Sequence, residues 1–248
     1  MFPGLDGKRV LITGASGGIG SCLARLFAEH GALLGLHYHQ NRAETETLVR
    51  EIEEAGGEAV AIQADLCAPA LPSLLQTFTE RFGGIDILVN NAGAVIGAVD
   101  FLDLEPRMWE QTFRLNVQNP YFLAREAFVA MKMQGGGKII NISSISAKYG
   151  GSTKTLHYGA AKAALEAVTT GLARQGAPHN ILVNTVRGGF IDTPMHHKIG
   201  RANLQRRIDM IPLKRAGTPV DVARMVLFLA SEACNFITGE ILTVAGGD

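Results

Sequence analysis

The chain has 248 residues, of which 47% are hydrophobic, so it can bury a substantial core and is not expected to be disordered. Basic and acidic residues balance at 23 each, and no apolar run reaches membrane-spanning length, so neither a nucleic acid nor a membrane is an expected partner. The three scattered cysteines form no Cys-x-x-Cys pair, which disfavours disulfides and a zinc knuckle and predicts a cytoplasmic location.

Short apolar runs alternate with helical periodicity along the chain. The first run, residues 10–12, ends at a glycine cluster, and the following apolar residues recur on one helix face up to Gly31, a helix-ending glycine. Further strands are predicted at 32–38, 58–63, 85–89, 138–142, 181–186 and 240–244, with helices between them, for example at 42–55 and 71–82.

Seven strands separated by helical crossovers predict an α/β fold, with one parallel sheet covered by helices on both faces. No linker, low-complexity stretch or internal repeat divides the chain. Residues 1–248 are therefore predicted to form a single domain.

A glycine loop directly follows the first predicted strand. Residues 13–20 read Thr-Gly-Ala-Ser-Gly-Gly-Ile-Gly and lead into the first predicted helix. Glycines allow a tight turn there, and exposed N–H groups with the helix dipole favour a pyrophosphate. The strand–loop–helix context favours a dinucleotide site over a turn that merely connects two elements.

Tyr158 and Lys162 lie four residues apart in a stretch that is predicted to be helical. Residues at this spacing share a helix face, so both side chains can point into one cleft. A phenol with a pKa near 10 exchanges protons poorly at neutral pH, but a fixed neighbouring cation favours the phenolate. The pair is a candidate general acid/base, although the same spacing also occurs in ordinary surface pairs.

Five motifs together resemble those of the short-chain dehydrogenase/reductase family. They are the Thr-Gly-x-x-x-Gly-x-Gly loop, Asn-Asn-Ala-Gly at 90–93, Asn116 in Leu-Asn-Val, Ser144 in Ile-Ser-Ser-Ile, and Tyr158-x-x-x-Lys162. The resemblance covers residues 8–247. It implies a single-domain Rossmann fold with a seven-stranded parallel sheet, and an NAD(P)-dependent enzyme that interconverts a ketone and a secondary alcohol.

The resemblance also implies roles for four catalytic residues. Tyr158 would exchange a proton with the substrate oxygen, while Lys162 would bind the nicotinamide ribose and lower the pKa of Tyr158. Ser144 would polarise the substrate oxygen, with the adjacent Ser143 as the alternative. Asn116 would hold a water molecule in a proton relay. Because all four positions are filled, a dinucleotide-binding regulator without catalysis is the less favoured hypothesis.

A larger set of residues is implied to bind the cofactor. Asp65 would accept a hydrogen bond from the adenine amino group, and Thr193 would meet the nicotinamide carboxamide. The whole set comprises Gly14, Ser16, Gly18, Ile19, Gly20, His39, Asn41, Arg42, Asp65, Leu66, Asn91, Ala92, Gly93, Tyr158, Lys162, Ile191 and Thr193. Relatives usually carry Pro-Gly upstream of Thr193, whereas this chain has Gly188 and Gly189, which predicts a more mobile loop.

The end of the second strand predicts which cofactor is used. An acidic residue there would bind the ribose 2′-hydroxyl and repel a 2′-phosphate, but the chain has no acid between residue 37 and Glu44. Asn41 or Arg42 could contact a phosphate, so NADP is favoured over NAD. Against this, Arg42 could be a solvated first-turn residue, and Gly17 stands where many NADP-dependent relatives have a second basic residue.

The substrate is expected to be a small-molecule ketone or alcohol, or an acyl thioester. Relatives commonly reduce 3-oxoacyl thioesters, but Gly135 and His179 stand where carrier-protein reductases typically have arginines. A free ketone, a sugar or a coenzyme A ester therefore remains an alternative. Lys148, Lys154 and Arg187 near the expected site mouth could attract an anionic substrate.

A loop at about 188–219 is expected to cover the substrate pocket, with apolar lining from Met195, Ile199 and Leu204. No metal is predicted, because His196 and His197 are adjacent and lack companion ligands.

The resemblance further implies a homotetramer that pairs the fourth and fifth helices. The small and apolar residues suited to that packing are Phe113, Val117, Tyr121, Ala160, Ala164 and Val168.

Overall fold

A computed structural model describes residues 2–69, 73–193 and 204–248. Its seven strands form one parallel sheet in the order β3-β2-β1-β4-β5-β6-β7. The strands are β1 (Arg9–Ile12), β2 (Leu33–Tyr38), β3 (Glu58–Gln63), β4 (Ile87–Asn90), β5 (Gly137–Ser144), β6 (Ile181–Gly188) and β7 (Ile241–Val244).

Helices connect these strands. They are α1 (Gly18–Glu29), α2 (Arg42–Glu54), α3 (Leu74–Phe82), α4 (Pro106–Phe113), α5 (Asn119–Gln134), α6 (Ser146–Tyr149), α7 (Leu156–Gly176), α8 (Leu204–Asp209) and α9 (Pro219–Ala230). A π-helical turn, Arg114–Gln118, joins α4 to α5.

The strand order reverses between β1 and β4. The chain builds outward from β1 to β3 on one side and from β4 to β7 on the other. In open parallel sheets, a crevice forms at such a switch point beyond the carboxyl ends of the strands. The glycine loop follows β1, and the Asn-Asn-Ala-Gly segment follows β4, so both border this crevice.

Two apolar clusters cover the two faces of the sheet. Leu23 and Phe27 of α1 pack with α9 on one face, and Phe78 of α3 packs with α5 on the other. The central strands are buried on both faces, which explains why their sequences read as continuous apolar runs. The predicted α/β fold with helices on both faces is confirmed.

Each predicted strand overlaps an observed strand, but the predicted and observed ends differ where the strand continues through polar residues. The predicted 138–142 and 181–186 segments each extend two residues further, because Ser144 and Gly188 still pair across the β5–β6 ladder. An apolar run marks only the buried part of a strand, whereas backbone pairing continues through polar side chains. Helix α3 begins at Leu74 rather than at 71, and residues 71 and 72 lie outside the described ranges.

Helix ends follow their local sequence. Gly31 lies just beyond α1 with φ +76°, the left-handed conformation that glycine adopts without strain. Helix α9 begins with a capping box, in which Thr218 and Asp221 bond each other's backbone N–H.

None of the helices within the described ranges is long and apolar enough to cross a membrane. The same residues contain no cluster of three His, Cys, Asp or Glu side chains that could hold a metal.

Candidate active site

The glycine loop is fixed against the segment that follows β4. Thr13 Oγ1 accepts hydrogen bonds from the backbone N–H groups of Asn91 and Ala92, both at 3.0 Å. The Asn91 amide donates back to the carbonyl oxygens of Thr13 (2.9 Å) and Gly14 (3.0 Å). A Cβ at Gly14 would lie 2.9 Å from the Ala92 Cα, so the close crossing of the two segments requires glycine.

His37 of β2 supports the same loop from below. The Gly14 N–H donates to His37 Nδ1 at 2.9 Å, so His37 Nε2 carries the proton and donates to the Ala64 carbonyl at 3.1 Å. Burial lowers the pKa of His37 to about 4, which keeps the ring neutral. Sequence reasoning missed this residue, although a histidine within an apolar strand run is an available signal.

A cavity of about 560 Å³ opens at the switch point. The predicted site residues in its wall are Gly14, Ser16, Gly18, Ile19, His39, Asn41, Asn91, Ala92, Gly93, Ser144, Tyr158, Lys162, Ile191 and Thr193. The glycine loop and the Tyr158–Lys162 pair therefore share one cavity. Residues that the sequence did not single out also line it, among them Gln40, Ile142, Ser146 and Thr155.

The predicted residues that are not in this wall are Gly20, Arg42, Asp65, Leu66 and Asn116. Gly20 is a packing residue, because a Cβ there would lie 2.1 Å from the Gly14 carbonyl. Asp65 lies behind His39, with 3.7 Å between its Oδ1 and His39 Nε2. Leu66 is buried in the core on the α3 side.

Arg42 points away from the cavity. Its Nε donates to Glu46 at 2.6 Å, and 74% of its side chain is exposed. Of the two interpretations that the sequence allowed, the structure shows Arg42 as a solvated residue in the first turn of α2. Asn41 and His39 are the neighbouring side chains that face the cavity.

Tyr158 and Lys162 lie on one face of α7 and are both buried. The Lys162 Nζ is 5.7 Å from the centroid of the Tyr158 ring and donates to the Ile142 carbonyl at 2.9 Å. Desolvation lowers the pKa of Lys162 to about 8, and the nearby Glu166 carboxylate opposes that shift. The ammonium therefore prevails at neutral pH beside the phenol.

Asn116 lies in the π-helical turn between α4 and α5, directly behind Lys162. Its amide donates to the carbonyls of Ala94 (3.0 Å) and Thr112 (2.9 Å), while its Oδ1 has no hydrogen-bond partner among the described residues. A Cβ at Gly93 would lie 2.7 Å from this Oδ1 and 3.0 Å from Lys162 Nζ, so both atoms border Gly93. This oxygen can accept a further hydrogen bond in the space beside Lys162.

The two serines at the end of β5 differ in how their hydroxyls are engaged. Ser143 is buried, and its hydroxyl donates to Glu166 Oε1 at 2.7 Å. Both serines line the cavity, but Ser144 is half-buried and accepts a hydrogen bond from the Ser146 N–H at 3.2 Å. Its hydroxyl proton remains available, which supports Ser144 over Ser143 as the substrate contact.

The segment after β6 forms the remaining wall of the cavity. Gly189 N–H donates to the Val244 carbonyl at 2.9 Å, and Ile191 forms a parallel bridge with Gly217. The backbone at Gly189 and Ile191 is thus hydrogen-bonded to neighbouring segments, and the mobility expected for the loop stays a prediction. Leu204 begins α8, whereas Met195, His196, His197 and Ile199 lie outside the described residues.

Of the three cations expected near the mouth of the cavity, Arg187 and Lys148 are engaged by neighbouring residues. Arg187 bonds Glu166 through two nitrogens, at 2.8 and 2.6 Å. Lys148 lies over the Tyr149 ring and donates to the Asp248 carbonyl. Lys154 is exposed.

The residues of this site fit a nicotinamide dinucleotide. The glycine turn precedes the N-terminus of α1, where backbone N–H groups and the helix dipole favour a pyrophosphate. The same cavity extends from the end of β2, at His39 and Asn41, to Tyr158 and Thr193. It thereby combines a turn suited to an anion with a buried phenol–ammonium pair.

Known proteins are similar to this chain over nearly its full length. A family model described as enoyl-(acyl carrier protein) reductase matches residues 14–248. Versicolorin reductase of Emericella nidulans is 37% identical over 98% of this chain and 96% of its own length. L-rhamnose 1-dehydrogenase (NAD(P)(+)) of a Sphingomonas species is also 37% identical, with the same two coverages.

A solved structure shows the same architecture. A short-chain dehydrogenase of Burkholderia cenocepacia, crystallised with NADP, superposes with a TM-score of 0.91 at 34% identity and 98% coverage of both chains. The fold and site thus define a nicotinamide-dependent oxidoreductase. This chain belongs to the short-chain dehydrogenase/reductase family and is an NAD(P)-dependent dehydrogenase/reductase.

Proposed function

We propose that the protein is an NADP-preferring enzyme that interconverts a ketone and a secondary alcohol, with Tyr158 as the general acid/base. The observation that carries the proposal is the position of the Tyr158–Lys162 pair. Both residues are buried on one face of α7, in the wall of the same cavity as the glycine loop. A buried ammonium next to a phenol favours the phenolate and brings proton exchange toward neutral pH.

When bound, the nicotinamide dinucleotide supplies or accepts the hydride. Tyr158 donates a proton to the substrate oxygen during reduction and removes one during oxidation. The Ser144 hydroxyl donates a hydrogen bond to that oxygen and stabilises the charge that develops on it. Lys162 binds the nicotinamide ribose and holds its positive charge near Tyr158, and the Asn116 Oδ1 holds a water molecule that links Lys162 to solvent.

The preference for NADP rests on the end of β2. His39 and Asn41 line the cavity there, and Ser16 of the glycine loop lies 3.4 Å from the Asn41 amide. Asn41 is also the N-cap residue of α2, so the positive end of that helix dipole faces the same region. An anion such as a 2′-phosphate is favoured at this place, and the NADP complex of the Burkholderia protein supports the assignment.

Two substrate classes are supported by different observations. The similarity to 3-oxoacyl-[acyl-carrier-protein] reductases, such as that of Chlamydia pneumoniae at 36% identity, favours a 3-oxoacyl thioester. The similarity to L-rhamnose 1-dehydrogenase favours a sugar or another small hydroxyl compound. Gly135 and His179 leave no cation at the two positions expected to contact a carrier protein, so a free ketone or a coenzyme A ester is the preferred form of the substrate.

A substrate panel tests this proposal. The purified protein would be incubated with NADPH or NADH and a 3-oxoacyl coenzyme A or a small diketone, and with NADP⁺ or NAD⁺ and L-rhamnose, while reduced-nicotinamide absorbance is followed. Turnover with NADPH or NADP⁺ on one of these is expected. Tight NADPH binding without turnover across the panel would instead favour a dinucleotide-binding regulator.

We further propose a cytoplasmic homotetramer. Support comes from the apolar residues that α4, α5 and α7 leave half-buried or exposed in one chain, including Phe113, Tyr121 and Val168.

A further inference from the structure

We propose that Glu166 and Arg187 are positioning residues for the reaction: they hold a neutralised carboxylate behind Lys162 and thereby fix the charge that the Tyr158–Lys162 pair experiences. This inference rests on the function proposed above. It concerns an ion pair that does not itself line the cavity.

The contacts of Glu166 are well defined. It lies one helical turn after Lys162 on α7, so the two side chains share a face of the helix. Its Oε1 accepts from the Ser143 hydroxyl (2.7 Å) and from Arg187 Nε (2.8 Å), and its Oε2 accepts from Arg187 Nη2 (2.6 Å). This is the bidentate geometry in which arginine binds a carboxylate most strongly.

The ion pair ties α7 to the two strands that end at the active site. Arg187 is the penultimate residue of β6, and its backbone is in register with Ser143 of β5. The side chains are largely buried, with exposed fractions of 9% for Glu166 and 18% for Arg187. Interactions between buried charges are weakly screened by solvent, so a change at this pair is transmitted to Lys162.

The charged and titratable groups around Lys162 come from two elements. Helix α7 contributes Tyr158 and Glu166, and β6 contributes Arg187. The other neighbours described above, Ser143 and Ser144 of β5, Gly93 after β4 and Asn116, are uncharged. Glu166 raises the pKa of Lys162 against the larger effect of desolvation. Arg187 Nη2 lies 2.6 Å from the Glu166 carboxylate, so its positive charge opposes that effect.

Removing Arg187 and removing the Glu166 charge should therefore shift the apparent pKa values of the Tyr158–Lys162 pair in opposite directions. Without Arg187, the uncompensated carboxylate retains protons on the pair, so its apparent pKa values rise. Without the Glu166 charge, the uncompensated Arg187 guanidinium disfavours protonation of the pair, so its apparent pKa values fall. The direction of the pKa shift is the same whether Tyr158 or Lys162 loses its proton first, because coupled groups titrate as a pair.

The experiment compares Glu166→Gln, Arg187→Met and the double variant, each folded as judged by circular dichroism. Tyrosinate absorbance is titrated against pH in the full-length protein, and the same variant carrying Tyr158→Phe is subtracted to isolate Tyr158. We expect a midpoint shift on the order of one pH unit downward for Glu166→Gln and upward for Arg187→Met. The double variant should return to the wild-type midpoint.

Two controls separate charge from packing. Arg187→Lys keeps the charge but loses the bidentate fork, so its midpoint should stay near wild type. Glu51→Gln removes a carboxylate from the half-exposed pair with Arg25 on the α1–α2 surface and should not shift Tyr158.

Shifts in the same direction, or an unshifted midpoint in both single variants, would overturn the inference. If Arg187→Met does not fold, the inference is also overturned by a double variant that fails to reverse the Glu166→Gln shift. Because the titration needs no substrate, opposite shifts in a protein that turns over no ketone would uphold the ion pair and refute the proposed function alone.

Discussion

A buried ammonium is costly, and Lys162 retains its proton at neutral pH through contacts from several elements. The Ile142 carbonyl accepts a hydrogen bond from it, and Glu166 adds a compensated negative charge behind it. These interactions offset part of the desolvation that lowers its pKa to about 8. A lysine in this setting can influence a neighbouring phenol more strongly than a solvated lysine could, because the intervening medium screens less.

His37 predicts a pH dependence of stability. Its pKa is about 4 in the folded protein and near 6.5 when exposed, so the unfolded chain binds more protons between these values. The free energy of unfolding should therefore be fully developed above pH 6.5 and fall by about 3 kcal/mol as the pH approaches 4. Urea unfolding at several pH values measures this slope.

His37→Asn is the matched variant, because an amide oxygen can still accept the Gly14 N–H but does not titrate. It should flatten the part of the slope that His37 contributes. An unchanged slope would show that other groups account for the acid sensitivity and that His37 is not held neutral.

Among the individual residues, the placement of Tyr158, Lys162 and Ser144 in one cavity could be predicted from motif and spacing, and their chemistry stays a prediction. The apolar run around His37 signals its burial, but its hydrogen bond to the glycine loop depends on how β2 lies beneath that loop, which is a tertiary relation. Arg42 is an intermediate case. Because Glu46 lies four residues after Arg42, the sequence already indicated an ion pair on the helix surface that competes with phosphate binding.

At the scale of elements, we propose that the N-terminus of α2 sets the preference for NADP. Asn41→Asp keeps a good N-cap but adds a carboxylate where we place the 2′-phosphate. NADPH affinity should fall at least about tenfold, the usual scale of one charge-assisted contact, while NADH affinity stays constant or rises. Isothermal titration with both cofactors measures the two affinities.

Arg42→Ala is the companion variant for the same helix. Since its guanidinium is engaged with Glu46 at the surface, only a small effect on NADPH is expected. A selective loss of NADPH affinity in Arg42→Ala would show that the side chain swings toward the phosphate. A wild-type preference for NADH would contradict the assignment of NADP altogether.

The elements themselves were predictable because parallel strands buried on both faces produce unmistakable apolar runs. Strand ends were less predictable. Beyond the predicted end at residue 142, Ser143 and Ser144 continue β5 by pairing with Arg187 and Gly188 of β6. Such an extension through polar residues is recognised only when the neighbouring strand is known.

At the scale of the whole molecule, the chain leaves aromatic surface on α4 and α5. Trp109 stacks on Phe113 with ring centroids 4.7 Å apart, and Tyr121 is 37% exposed. We predict that this surface is covered by other copies in a tetramer. Light scattering should give about four times the 26.5 kDa mass of one chain at micromolar concentration.

Tyr121→Glu provides a test of the surface involved. A charge at a buried interface is strongly unfavourable, so this variant should dissociate while its isolated fold persists. The mass of a single chain for the wild type would contradict the assembly, and an intact tetramer in Tyr121→Glu would place the interface elsewhere.

The most direct test of the proposed mechanism is the turnover of Tyr158→Phe. The variant removes one hydroxyl from a residue that remains packed on α7, so folding and NADPH affinity should persist. On the substrate that the panel identifies, kcat should fall by roughly 10² or more, the usual scale of general acid/base catalysis. Near-normal turnover in a folded Tyr158→Phe that still binds NADPH would contradict the mechanism.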